Sequence, residues 1–427
     1  MSEHVRLFIA GDSTAQSYKP EAAPQAGWGQ LLPLFFDDDV EIINHAMAGR
    51  SSKSFFNEGR YGRILDAAGA NDYVIIQFGH NDGTVEKPER YIPFPDFEEL
   101  LEKEYIAPAL AKGMHPILAS HTQGSWFDEE TGRIPEPSGE TSYPLLFQKH
   151  AQMHGFPFLD INTLSREMEN KLGPVESKKL HLYAKPGEYE RFPDGNVDDT
   201  HFCFYGAFRI AEITANELCR QIPVFAAHRK DAYIQIKTVC GEESFDVRPY
   251  GFTDTFSVAI DSKGGDVFVN GQKIMNDRTE NLVTRCKAEN SRITVAAQNA
   301  IVQVSPVWIY APEGGIHTEE TSFVLEDLPD GKCDITFVKS DINRSNLYLN
   351  SLIVGVNVDM EGTVEQFPGT RHTIRDFDIH CSASVKGTEK THDLKAVEVT
   401  RTPVIFPRKK RIFIGGDSTV CLYYPVI

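Results

Sequence analysis

The sequence predicts an α/β protein in its first half and an all-β protein in its second half. From residue 5 to about 225, strand and helix signals alternate, which is typical of a parallel sheet covered by helices. From about 229 to 403, short segments of alternating polarity are separated by turns. The chain has 427 residues, more than one ordinary core accommodates. We therefore expect a flavodoxin-like three-layer α/β/α domain over 1–228, a jelly-roll-like β-sandwich over 229–405, and a linker with the start of another α/β domain over 406–427.

Short apolar runs predict five strands in the first half. The run Asp72–Phe78 (DYVIIQF) is almost wholly apolar, as expected for a strand that is buried on both faces of a parallel sheet. The other predicted strands are Val5–Ala10, Val40–Asn44, His115–Ser120 and Phe156–Asp160. The predicted helices are Gly62–Ala68, Asp96–Ala111, Tyr143–Met153 and Tyr205–Gln221.

The second half is rich in valine, isoleucine, threonine and aromatic residues, as in FSVAIDSKGGDVFVNGQKI and SRITVAAQNAIVQV. This composition predicts a β-sandwich, for which carbohydrate binding is one role to test. Near the end, Arg411–Val420 repeats Arg6–Ala15 at a constant offset. We interpret the repeat as the first strand of a second α/β domain. One strand and a turn cannot build a site, so we expect Ser418 to be catalytically silent.

Bulk properties exclude some classes of partner. The net charge of −18 argues against nucleic acids and anionic membranes. No segment has the ~18 consecutive apolar residues typical of a membrane span, and the start lacks the pattern of a secretory signal. The seven cysteines show no paired CxxC spacing, which favours a reducing compartment. The sequence thus predicts a cytoplasmic protein, and it does not indicate an oligomeric state.

Two short blocks contain the residues that a serine nucleophile needs. Ser13 lies in the turn GDST directly after the first strand, at the sheet edge where open α/β folds bind ligands. The block DDTH precedes the last predicted helix, and it contains Asp198 and His201. At this spacing Asp198 can orient one ring nitrogen of His201 while the other accepts the serine proton. Each block alone also fits an ordinary turn, whereas their combination with the two blocks below favours catalysis.

Two further blocks provide candidate donors for an oxyanion. Gly49 lies in NHAMAGRSS after the second strand, where a glycine allows close backbone approach. Asn81 lies in GHND after the third strand and offers a side-chain amide. The alternatives are a strand-to-helix turn capped by Ser51 or Ser52, and a plain Asn-Asp turn.

Together the blocks GDST, NHAMAGRSS, QFGHND and DDTHF resemble those of the SGNH hydrolases, over about residues 5–225. The forms NxAxxGRS and GHND, with the segments PGE and FPDG upstream of DDTHF, are similar to the rhamnogalacturonan acetylesterases of carbohydrate esterase family twelve. The resemblance implies Ser13 as nucleophile, His201 as base and Asp198 as its orienting group. It also implies an oxyanion hole formed by Ser13, Gly49 and Asn81, and removal of acetyl groups from galacturonate residues of pectic chains without metal or cofactor.

The substrate is less well determined than the chemistry. The segment HTQGSWFD after the fourth strand lacks the arginines that pectic relatives often have there, and the net charge is negative. Both leave room for a neutral glycan such as acetylated xylan. We name four candidate substrate-binding residues: Trp28, Arg50, His181 and Tyr189. Packing is the alternative for Trp28, and a structural ion pair is the alternative for Arg50.

Other functions are less well supported by the sequence. No HxH, HExxH, GxGxxG or Walker motif occurs, so we predict no metal and no cofactor. An esterase of acyl lipids or thioesters is a second enzymatic interpretation, although the chain lacks a long apolar lid. A glycan-binding protein with a degenerate hydrolase domain is an interpretation from another class. An acetylated oligo- or polysaccharide is the predicted partner.

Overall fold

The computed structural model places five parallel strands in one sheet in the first half of the chain. The strand order is β2-β1-β3-β4-β5, which is the flavodoxin-like order. The strands are β1 Val5–Ala10, β2 Val40–Asn44, β3 Tyr73–Phe78, β4 His115–Ser120 and β5 Phe158–Leu159. The sequence order reverses between β1 and β3, so a crevice is expected at the carboxyl ends of these two strands.

The structure describes residues 4–139, 142–230, 235–248, 255–262, 265–275, 282–310, 321–325, 331–339, 351–354, 359–360, 371–379, 385–389 and 394–401. The predicted linker and repeat at 406–427, with Ser418, lie outside these residues. The domain boundaries near 228 and 405 therefore stay predictions. Within the described residues, no helix has both the length and the apolar character needed to cross a bilayer.

Helices cover both faces of the parallel sheet, as the alternation of side chains along β1 requires. Leu7 and Ile9 belong to one hydrophobic cluster, whereas Phe8 and Ala10 belong to another on the opposite face. The helices are α1 Trp28–Leu31, α2 Ser52–Asn57, α3 Arg60–Ala67, α4 Phe94–Leu100, α5 Ala107–Ala111, α6 Tyr143–His154, α7 Ile161–Glu176, α8 Phe204–Gln221 and α9 Pro223–Ala227. A π-helical segment, Leu101–Ile106, joins α4 to α5. Short 3₁₀ turns occur at Pro20–Ala22, Leu32–Phe35 and Ser177–Lys179.

Helix α7 was not predicted, although it has 16 residues. Asp160 caps its start by accepting a hydrogen bond from the Thr163 backbone nitrogen at 3.2 Å. Near its end, Gly173 adopts a φ of 72° and is followed by Pro174, which kinks the segment. A Gly-Pro pair is typical of a loop, so the sequence pattern did not predict a helix here.

The second half contains antiparallel strands throughout its described residues, as the sequence predicts. The strands are β6 Gln235–Asp246, β7 Thr255–Ser262, β8 Val267–Val269, β9 Gln272–Met275, β10 Leu282–Lys287, β11 Arg292–Pro306, β12 Trp308–Tyr310, β13 Thr321–Leu325, β14 Gly331–Lys339, β15 Ser351–Val354, β16 Asp359–Met360, β17 Arg371–Ile379, β18 Val385–Glu389 and β19 Leu394–Arg401. They form one six-stranded sheet and two four-stranded sheets. The fold class therefore agrees with the prediction: a parallel α/β region followed by an all-β region.

Candidate active site

Ser13 lies in the turn after β1, and this turn is fixed by a buried carboxylate. Asp12 accepts hydrogen bonds from the backbone nitrogen of Thr14 at 2.9 Å and from its hydroxyl at 2.8 Å. It also accepts one from Gln77 Nε2 on β3 at 3.1 Å. The Ser13 side chain therefore projects from a turn that is tied to the neighbouring strand at the switch point of the sheet.

Ser13, His201 and Asp198 form a line of hydrogen-bonding partners. Ser13 Oγ lies 3.0 Å from His201 Nε2, and His201 Nδ1 lies 2.8 Å from Asp198 Oδ2. The second carboxylate oxygen, Asp198 Oδ1, accepts the backbone nitrogens of Thr200 and His201, each at 2.9 Å. Because an ionised carboxylate only accepts, we assign the ring proton to Nδ1. Nε2 is then free to accept the proton of the Ser13 hydroxyl.

The pKa values of this pair shift in opposite directions. Burial raises the pKa of Asp198, but hydrogen bonds from the His201 side chain and backbone outweigh it and lower the pKa to about 2. The hydrogen bond to Asp198 raises the pKa of His201 above its ordinary value, against the opposing effect of burial. Asp198 thus stays ionised across the physiological range, while His201 is a stronger base than a free imidazole.

Gly49 and Asn81 lie on loops that contact each other, and the Gly49 loop also contacts the turn of Ser13. The backbone nitrogen of Met47 donates to Gly11 O at 3.0 Å, which ties the Gly49 loop to the turn of Ser13. Asn81 Nδ2 donates to Arg50 O at 3.1 Å. Gly49 has a φ of 71°, a backbone conformation that favours glycine. One of the two amide hydrogens of Asn81 is used within the protein, so the other remains for a ligand.

Asp82 holds the two oxyanion loops together, and the sequence reading did not single it out. This buried carboxyl accepts hydrogen bonds from Ser52 N at 2.8 Å, Ser52 Oγ at 2.5 Å and Gly79 N at 3.0 Å. Burial raises its pKa to about 7 against the opposing effect of these bonds. Helix α2 begins here with Ser51 as its N-cap, in a reciprocal pair with Ser54. The capping expected for Ser51 is therefore present next to the candidate donor loop.

Two neutral histidines also approach the site. The rings of His80 and His121 lie 4.4 Å apart between centroids. Burial, together with the nearby His201, lowers the pKa of His80 to about 4. Burial likewise lowers the pKa of His121 to about 3. Both rings are therefore uncharged at neutral pH and add no cation that competes with His201.

Three of the four predicted substrate-binding residues are buried or engaged elsewhere, which corrects their assignment. Trp28 is 0% exposed on α1, so packing is the correct alternative. His181 is 0% exposed, and its Nε2 lies 3.1 Å from the equally buried Glu169 Oε2. Tyr189 is 9% exposed and donates through its hydroxyl to Arg248 O, at the start of the second half. A side chain without a solvent-facing surface cannot stack on a sugar ring.

The fourth residue, Arg50, is used structurally. Its Nε lies 3.1 Å from Glu58 Oε1, and its Nη1 donates to Ala48 O at 2.8 Å. The ion pair expected as the alternative for Arg50 is therefore present. Its side chain is 33% exposed, and substrate binding by Arg50 stays a prediction. The backbone carbonyl of Arg50 accepts the hydrogen bond from Asn81.

Arg90 and Trp126 lie on loops that contact the candidate site, and the sequence did not indicate them as binding residues. Arg90 Nη1 donates to Asn81 Oδ1 at 3.3 Å, and a Cβ built on Gly49 would lie 2.9 Å from Arg90 Nη2. Trp126 is 51% exposed. Its loop contacts the His201 loop through Ser125 N, which donates to Asp199 O at 2.8 Å. Neither residue lies in one of the four blocks, so only the folded contacts reveal them.

Comparisons with known proteins concern the first half of the chain. A family model described as GDSL-like lipase/acylhydrolase matches residues 7–212. Rhamnogalacturonan acetylesterase RhgT of Bacillus subtilis (strain 168) is 37% identical over 215 residues, which cover 50% of this chain and 90% of the relative. The probable rhamnogalacturonan acetylesterase YesY of the same organism is 34% identical over 223 residues, covering 50% and 92%. The crystal structure of protein YxiM from Bacillus subtilis is 28% identical with a TM-score of 0.43, covering 51% of this chain and 57% of that chain.

Proposed function

The chain belongs to the GDSL-like lipase/acylhydrolase family, and from this membership we propose that it is a serine esterase that removes acetyl groups from a plant cell-wall polysaccharide, with rhamnogalacturonan as the substrate. The observation that supports the chemistry best is the line Ser13–His201–Asp198, with separations of 3.0 and 2.8 Å. These distances lie within the range at which a base takes a proton from a hydroxyl.

In the proposed mechanism, His201 Nε2 accepts the proton of Ser13 as the hydroxyl oxygen attacks the acetyl carbonyl. Asp198 holds the ring in the correct tautomer and stabilises the imidazolium that forms. The carbonyl oxygen becomes an oxyanion, for which the backbone nitrogens of Ser13 and Gly49 and the free amide hydrogen of Asn81 are the proposed donors. His201 then protonates the leaving sugar alkoxide, and a water molecule releases acetate by the reverse sequence.

Arg90 supports an anionic sugar rather than a neutral one. The galacturonate implied by the family resemblance carries a carboxylate, and Arg90 places a guanidinium beside Asn81 and Gly49. A guanidinium binds a carboxylate with two parallel hydrogen bonds. This local cation offsets the repulsion that the net charge of −18 imposes on a polyanion. Trp126 is the proposed surface for stacking on a neighbouring sugar ring.

Acetate release from acetylated rhamnogalacturonan and from acetylated xylan tests the substrate. We expect faster release from rhamnogalacturonan, and no release by Ser13→Ala from either polymer. Faster release from xylan would contradict the proposed substrate while leaving the esterase chemistry intact. No release from either polymer, together with no hydrolysis of p-nitrophenyl acetate, would favour a glycan-binding protein instead.

Arg90→Ala sharpens this test, with Arg133→Ala as the matched control because Arg133 is an exposed arginine on another loop. If Arg90 binds the galacturonate carboxylate, its loss should raise KM for rhamnogalacturonan about tenfold and leave the hydrolysis of p-nitrophenyl acetate unchanged. Equal losses on both substrates would instead assign Arg90 to the positioning of Asn81.

A further inference from the structure

A cluster of two histidines and two glutamates lies away from the candidate active site. His150 and His154 occupy the last turns of α6, one helical turn apart. Glu98 on α4 and Glu102 in the π-helical segment have the same spacing and face them. Helix α6 leads into the start of β5, so its last turns lie at the amino edge of the parallel sheet. Ser13 and His201 lie at the opposite edge, where the strands end.

Three ligand atoms converge within this cluster. Each of three residues offers one possible ligand atom, and these atoms lie within 4.8 Å of one another: Glu102, His150 and His154. His154 Nε2 is 2.9 Å from Glu102 Oε1 and 3.0 Å from Oε2, and His150 Nδ1 contacts Oε1 of the same carboxylate. The nitrogens of two rings are therefore directed at one carboxylate, as they are when all three bind a common ion.

The surroundings of His150 favour a cation. Its ring is 98% buried, since its side chain is only 2% exposed. Nδ1 contacts Glu102, while Nε2 lies 3.0 Å from Glu98 Oε1. A neutral imidazole has a single N–H, so one of its nitrogens would present a lone pair to a carboxylate that can only accept. A proton on a carboxyl group, a second ring proton, or a metal ion bound by both Nδ1 and Glu102 removes this conflict.

We propose that Glu102, His150 and His154 bind one divalent transition-metal ion, with Zn²⁺ as the best fit. Two imidazoles, one carboxylate and a water molecule form a common tetrahedral zinc environment. Glu98 would then accept the N–H of Nε2, which is the outer carboxylate that zinc-bound histidines usually have. Lys149 Nζ lies 2.6 Å from Glu98 Oε1 and balances its charge.

Two features prepare the site for an ion. The ring of His154 stacks on Phe156 with centroids 4.9 Å apart and planes 6° apart, which limits its rotation. His154 and Glu102 are 27% and 29% exposed, so the site is open to solvent on one side. Glu102 also lies in a π-helical segment, a local irregularity that is frequent at functional sites. Metal binding would clamp this segment to α6.

The test uses the full chain, stripped with EDTA in a non-thiol reductant and dialysed against micromolar Zn²⁺. We expect about one zinc per chain by elemental analysis, and an absorption spectrum of four-coordinate Co²⁺ when cobalt replaces zinc. Zinc at about a hundredfold excess over Kd should raise Tm by about 5 °C. The rate of p-nitrophenyl acetate hydrolysis should not change on stripping, because the proposed mechanism uses no metal.

Variants distinguish zinc that is bound at this site from zinc that is bound elsewhere on the protein. Glu102→Gln and His154→Ala replace partly exposed residues. Each variant should bind zinc at least tenfold more weakly and should lose the Tm shift. Asp37→Asn is the matched control, because Asp37, Asp39 and His228 form the other group of three converging ligand atoms among the described residues. Uptake below 0.2 zinc per chain, or uptake that Asp37→Asn removes and His154→Ala retains, overturns the proposal. The cluster is then a network of hydrogen bonds without a metal ion.

Discussion

His201 and His150 lie at opposite edges of the same parallel sheet, and each contacts a carboxylate through Nδ1. They differ at Nε2, where His201 meets the hydroxyl of Ser13 and His150 meets a second carboxylate, Glu98. A carboxylate on one nitrogen and a hydroxyl on the other prepare a base that can be neutral and receive a proton. Carboxylates on both nitrogens leave no hydroxyl to activate, and they suit the bound cation that we propose. The difference teaches that the partner of the second nitrogen decides what a histidine–carboxylate pair can do.

The largest effect on the rate is expected from removing the hydroxyl of Ser13. Ser13→Ala should lower kcat by about a thousandfold or more while the fold remains, because no nucleophile is left for His201 to activate. The measurement is acetate release together with circular dichroism. The exposed Ser138 provides the control Ser138→Ala, which should keep full activity. If Ser13→Ala retains more than about a tenth of the activity, another group is the nucleophile.

The next largest effect on the rate is expected from replacing Asp198, the carboxylate that contacts His201. Asp198→Asn should lower kcat by about 10⁴-fold, because an amide donor favours the wrong ring tautomer of His201. The neighbouring Asp199 accepts from Tyr183 Oη rather than from His201, so Asp199→Asn should cost far less. Comparable losses in the two variants would mean that the loop as a whole, and not the Asp198–His201 bond, sets the rate.

A smaller effect is expected at the oxyanion side. Asn81→Ala removes one proposed donor, which typically costs about 2.7–4 kcal/mol of transition-state stabilisation. The loss should therefore fall on kcat by about 100- to 1000-fold, with KM little changed. Asn57→Ala, at the exposed end of α2, is the control. A defect confined to KM would make Asn81 a substrate-binding residue instead.

The pH profile gives the smallest effect. His201 acts as a base only when neutral, and its hydrogen bond to Asp198 raises its pKa above its ordinary value. Activity should thus rise with pH with a midpoint above about 6.5 and reach a plateau at alkaline pH. Asp198, with a pKa of about 2, and His80, with a pKa of about 4, titrate too low to produce this limb. Asp82, with a pKa of about 7, titrates in the same range, so the profile of Asp82→Asn is the control. A rate that is flat from pH 5 to 8, with the chemical step limiting, would exclude His201 as the base.

Much of the fold and the central line of the candidate site follow from local sequence patterns. The strands Val5–Ala10, Val40–Asn44 and His115–Ser120 have the predicted bounds, because buried parallel strands are short apolar runs that end in polar turns. Ser13 lies in such a turn, whereas Asp198 and His201 lie in the loop before α8. The fold brings this loop to the turn after β1, so residues that are 188 positions apart come to lie 3.0 Å from each other.

The local sequence pattern does not predict the direction in which a side chain points. Trp28 is conspicuous in the sequence but points into the core, whereas Trp126 is exposed on a loop that contacts the His201 loop. Arg50 and Arg90 differ in the same way, since the first pairs with Glu58 and the second reaches Asn81. The cluster of Glu102, His150 and His154 depends on the packing of two helices, and a search for HxH or HExxH motifs does not detect it.

Covalent labelling with a fluorophosphonate tests the central claim most directly, because such reagents react with a serine that a neighbouring base activates. Peptide mapping by mass spectrometry should find one phosphonylated residue, Ser13, and labelling should disappear in His201→Ala. Stripping the protein with EDTA should leave the labelling unchanged. Modification of a different serine, or equal labelling of Ser13 without His201, would contradict the account.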